Sequence, residues 1–159
     1  MTATAPPSPP NEPPTDPESE LAACVADPEA ALKQRGIQVE RRWTRNTLAM
    51  LVTNEETGEQ TVFIVENASA LLERFLLLHE LAHILLGHRG CSFYRGFLFR
   101  PSSSKEEHQA DQLVAAAAIP VSDLLKATEG ARSLDDVART LGVPRYWVKK
   151  RLKMLDDLL

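Results

Sequence analysis

Three residues in one apolar run could do chemistry. In FLLLHELAHILLGH, residues 75–88, His79, Glu80 and His83 interrupt a stretch that is otherwise apolar on nearly every face. Polar groups inside such an element are costly unless something pairs with them. In a helix, a four-residue separation puts two imidazoles on one face, one turn apart. Two nitrogens so placed can hold one Zn2+. Glu80, beside the first of them, is positioned to take the proton of a water activated there, which is the physical content of the HExxH pattern. One metal then compensates three buried polar side chains. Two ordinary core histidines would instead need separate backbone or carboxylate partners.

A hydrolytic zinc needs a third protein ligand and one open position. A third histidine ten positions after His79, with glycine seven after it, is absent, because those positions hold Arg89 and Leu86. His88, five residues past His83, points roughly 140° away from that ligand on a continuing helix. It suits the helix end instead, where a histidine can meet the last carbonyls. Cys91 is a single thiol in an expected loop. EHQAD, residues 107–111, fits better. Glu107 and Asp111 share a helix face. Glu107 can bind the metal, and Asp111 can accept the free N–H of a ligand histidine and so fix its tautomer and orientation. Ala110 between them lets two helices approach closely. Glu106 competes as the ligand, but its spacing from Ser103 is that of a capping box. The oxyanion formed in peptide hydrolysis needs a donor besides the metal, and Tyr94 and His88 are candidates.

Several elements must position these groups. Residues 1–19 carry seven prolines and cannot build a core, so a disordered tail is expected there. Residues 20–130 are expected to form the zinc-binding domain. One or two short helical pieces should precede Gly36. IQVERRWT, TLAMLVT and TVFIVE read as strands, with a hairpin turn at Asn54 and Gly58, and an antiparallel sheet of about three strands follows from them. Asn67 or Ser69 can cap the HExxH helix, which Gly87 stops. RGCSFYRGFLFRPSSS reads as a loop with a short extended piece at FLF. Ser103 opens the Glu107 helix and Pro120 follows its end. Ser122 can cap a third helix. Residues 131–159 read as a helical pair, with Ser133 at its start, a turn at Gly142 and Pro144 in the first turn of the second helix. The fold class expected is α+β.

Composition bounds the rest. With 159 residues and 43% hydrophobic content, the chain is the size of one ordinary domain. Its net charge of −4 does not advertise a surface made for nucleic acid. Cys24 and Cys91 form neither a disulfide framework nor a CxxC clip and read as free thiols of a reducing compartment. There is no secretory signal pattern and no apolar run of about 18 residues, so a cytoplasmic protein without a membrane role is expected.

RFLLLHELAHILLGH, then KEEHQADQLVAAAAIP, then a helical tail resembles the ImmA/IrrE family of metallo-endopeptidases over roughly residues 37–155. The resemblance implies a compact zinc-protease fold with His79, His83 and Glu107 as ligands and Glu80 as catalytic base. It also implies a protein substrate, a helix-turn-helix transcriptional repressor, and a Zn2+ cofactor with Mn2+ as the alternative. AAAAIP and Gln109 depart from the family's usual bulkier run and second acidic residue. The tail, LDDVARTLGVPRYWVKKRL, carries a competing function. Its spacing is that of a helix-turn-helix, and Arg145, Lys149, Lys150, Arg151 and Lys153 could lie against DNA phosphates. The acidic chain and the lack of a second half-site reader favour a helical pair that packs on the catalytic domain or docks substrate.

Overall fold

The computed structural model describes residues 15–43, 47–94, 97–99 and 103–159, with the backbone alone at 91–94 and 97–99. Residues 1–14 of the expected tail lie outside the described residues. Chain order is α1 (Pro17–Ala23), α2 (Pro28–Gln34), β1 (Gln38–Arg42), β2 (Ala49–Asn54), β3 (Gln60–Val65), α3 (Ala70–Leu85), β4 (Cys91–Tyr94), β5 (Phe97–Phe99), α4 (Ser104–Ala118), α5 (Val121–Thr128), α6 (Leu134–Leu141) and α7 (Arg145–Asp156). The α+β class is as expected.

Side chains at the helix starts explain most boundaries. Asp16 accepts from Ser19 N–H and Pro17 takes the first helical position, so α1 begins inside the stretch expected as tail. Ser69, rather than Asn67, caps α3. Ser103 and Glu106 form both arms of a capping box on α4. The short helix α5 starts two residues earlier than a Ser122 cap would put it. Pro120 occupies the cap and offers no side-chain hydrogen bond. Pro144 likewise stands just before α7 instead of in its first turn.

The sheet has order β1-β3-β2-β4-β5 and is mixed. β2 and β3 form the expected antiparallel hairpin, but β1 joins β3 in parallel and β4 joins β2 in parallel. The purely antiparallel three-strand expectation is therefore corrected. It assumed that successive strands lie side by side, whereas β1 sits beyond β3, which frees the other edge of β2. The extended piece expected at FLF is β5, and it pairs antiparallel with β4, which stands where a loop was expected. Gly90 admits the lead-in to β4: its φ is +66°, and a Cβ there would lie 2.6 Å from the Leu51 carbonyl oxygen.

Leu51, Val62 and Ile64 alternate inward from the hairpin and meet Phe75, Leu78 and Leu81 of α3, all buried. Burying each such side chain is worth about 1.5–3 kcal/mol. Ala110, Val114 and Ala115 are buried on α4, small enough to bring α4 close to α3. The closing helices share this core. Val137, Ala138, Val143 and Val148 are buried, and Trp147 packs on Phe75 with ring centroids 5.1 Å apart. Arg151 donates to the Ile119 carbonyl at 2.9 Å and ties α7 to the end of α4.

Candidate metal centre

The middle of α3 faces α4, and their polar side chains meet there. His79 Nε2 lies 3.0 Å from Glu107 Oε2 and 3.1 Å from His83 Nε2. His83 Nε2 is 3.3 Å from Glu107 Oε1. Around a tetrahedral ion with bonds of about 2.0–2.1 Å, neighbouring ligand atoms are about 3.3 Å apart. The two histidine nitrogens and the Glu107 carboxylate, which turns a different oxygen to each of them, thus lie at separations close to the edges of such a tetrahedron. Two imidazoles and one carboxylate are also a donor set that suits zinc. His83 is buried and His79 nearly so, while the Glu107 side chain is 49% exposed toward solvent. The group is held from two rigid helices and is open on one side.

Asp111 lies one turn beyond Glu107. Its Oδ1 is 2.9 Å from His79 Nδ1, close enough for an ionic contact although off the line of a straight N–H···O bond. Its Oδ2 accepts from the Tyr146 hydroxyl and lies 3.4 Å from Lys150 Nζ. Burial opposes charge on His79, but Asp111 and Glu107 outweigh it and hold the imidazole up at about 10. Burial and the neighbouring charge on His79 push His83 down. The His79 contact holds Glu107 below the usual carboxylate range. Burial works against ionised Asp111, and the contact with His79 and the bond from Tyr146 overcome it. Burial and the bond to Asp111 both raise Tyr146.

Glu80 is buried and lines the same cleft as His79, His83 and Glu107. The cleft has a volume of about 720 Å³, and its walls include Met50, Leu72, Leu76 and Trp147. One side is the start of β2. Val65 N–H bonds the Leu48 carbonyl, and Asn54 N–H bonds the Glu59 carbonyl. The ladder alternates, so Met50 and Val52 also turn their backbone groups to β3, and those of Ala49, Leu51 and Thr53 face the other way. β4 pairs with β2 only over Val52–Asn54. Ala49 therefore presents its N–H and C=O to the cleft.

Glu107 is brought to both histidines, and Glu106 is used in the α4 cap, as their spacings suggested. Among the described residues, His79, His83 and Glu107 form a cluster able to hold a metal. The side chains of Tyr94 and Cys91 lie outside the described residues. His88 differs from expectation. The helix stops before it, and Gly87, with φ +75°, turns the chain so that His88 Nδ1 lies 2.9 Å from His83 Nδ1. Tyr146 was not anticipated at the site. Its neighbours in sequence are basic and apolar helix residues, and only the packing of α7 on α4 brings it there.

An HExxH helix beside a small mixed sheet, with a carboxylate from a second helix, is the arrangement of a metallopeptidase domain. The chain belongs to the IrrE N-terminal-like domain family of peptidases, whose model matches residues 32–153. No curated protein matches the chain.

Proposed function

We propose that the protein is a zinc-dependent endopeptidase. The observation that carries this reading is the convergence of His79 Nε2, His83 Nε2 and the Glu107 carboxylate in a cleft that Glu80 also lines. Bound there, zinc would polarise a water and the scissile carbonyl. Glu80 takes the proton of the attacking water and delivers it to the leaving amine. Asp111 holds His79 by Nδ1 so that Nε2 faces the ligand cluster. Ala49, through its backbone N–H and C=O, accepts an extended peptide as an added strand. The apolar walls at Met50, Leu72 and Leu76 receive its side chains. A cytoplasmic helix-turn-helix repressor is the substrate class that the resemblance suggests, and manganese is the alternative metal.

The competing reading, a DNA-binding tail with a structural metal, is disfavoured because three of its five cations are already engaged within the fold. Arg145 pairs with Asp135 at 3.2 Å, Lys150 with Asp111, and Arg151 with the Ile119 carbonyl. The test is a digest of a proteome-derived peptide library, read by mass spectrometry. Cleavage is expected from the zinc-loaded wild type and not from Glu80→Gln. Absence of cleavage, together with DNA binding that falls steeply with salt, would reverse the choice.

A further inference from the structure

The histidine that follows the helix stop has a place in the metal site that HExxH does not contain. At the end of α3, His88 N–H bonds the His83 carbonyl at 2.8 Å and Gly87 N–H bonds the Ile84 carbonyl at 3.0 Å. With Gly87 left-handed, these are the two bonds of a Schellman motif, which brings the residue after the glycine back over the last helical turn. That contact is commonly apolar. Here it joins two imidazoles, His83 Nδ1 and His88 Nδ1, 2.9 Å apart. The second nitrogen of His88, Nε2, is 3.2 Å from Gln109 Oε1 on α4.

Proton accounting gives this chain one direction. If His83 offers its Nε2 lone pair to a metal, its proton sits on Nδ1 and that nitrogen donates. His88 Nδ1 must then accept, so its own proton sits on Nε2. That N–H meets an amide oxygen, which can only accept. The three groups are mutually consistent in this one arrangement. We propose that His88 and Gln109 are positioning residues that lock His83 into its ligating tautomer and ring orientation. The two ligand histidines then have unlike supports. His79 rests on the carboxylate of Asp111, and His83 rests on a neutral relay that ends at Gln109. This inference depends on the metal reading.

The experiment uses the full chain labelled with ¹⁵N-histidine. In the zinc-loaded wild type, His83 is expected as the Nδ1–H tautomer and His88 as the Nε2–H tautomer. Chelator competition is expected to show zinc affinity about 10–100-fold lower in His88→Leu. His88→Gln, which keeps an acceptor, should regain part of that loss. Gln109→Leu should weaken zinc binding less and scramble the His88 tautomer. The cobalt-substituted protein should show an altered visible spectrum in His88→Leu. Wild-type affinity and spectrum in both Leu variants, or the opposite tautomers in the wild type, would overturn the relay. The wild-type spectrum decides the matter even if His88→Leu fails to fold. Failure of the wild type to take up zinc would overturn the metal reading itself, and the relay with it.

Discussion

Asp111 is where the electrostatics of the site converge. One oxygen faces His79, and the other receives Tyr146 and Lys150. An acceptor behind a ligand histidine fixes which nitrogen is free to bind, and its loss typically weakens a metal site by about 10–100-fold. Asp111→Ala should therefore lower zinc affinity by that order in chelator competition while the chain stays folded. Unchanged affinity would mean that Asp111 only anchors α7. Most of this cluster was legible in the sequence. The four-residue spacings His79–His83 and Glu107–Asp111 survive because both pairs lie on regular helices, where spacing is geometry. His88 and Tyr146 were not legible. His88 lies past Gly87, where helical periodicity no longer applies, and Tyr146 reaches Asp111 only through the tertiary docking of α7.

At the scale of elements, β2 works on two edges. Its even-numbered residues hold β3, and Ala49 turns toward the cleft. Ala49→Pro removes an N–H that the β2–β3 ladder does not use. Zinc content should be unchanged, and the rate of peptide cleavage should fall by about 10-fold, the worth of one hydrogen bond of roughly 1–1.5 kcal/mol. Equal cleavage would count against strand addition. Gly90 sets the other limit of this edge. Gly90 and Gly58 both have positive φ, but only Gly90 has backbone within reach of an added Cβ. Both alanine variants should lose about 1–2 kcal/mol from the left-handed backbone. Gly90→Ala should lose more because it must displace Leu51, and denaturant midpoints of the two variants measure the difference. β1, β2 and β3 were readable from β-branched and apolar runs, and the turn from Asn54 and Gly58, whereas β4 lay in a stretch that reads as a loop. Strand order was not, because which strand lies beside β3 is decided by packing on α3 and not by local pattern.

The whole molecule closes on itself through its last helix. α7 packs on α4, sets Trp147 against Phe75 and lines the cleft with Tyr146. A chain ending at Gly142 should lose zinc and unfold well below the wild type in a thermal melt. A stable, zinc-binding truncation would instead mark the tail as a separate module. No helix among the described residues is long and apolar enough to cross a membrane. The most direct test is the zinc content of the purified wild type beside Glu80→Gln and Glu107→Ala. About one zinc per chain is expected in the first two and little in the third, as for a site with three protein ligands and a separate base. A wild type that binds no zinc when supplied with it, or a Glu107→Ala variant that binds it as tightly, would contradict the metallopeptidase reading of His79, His83 and Glu107.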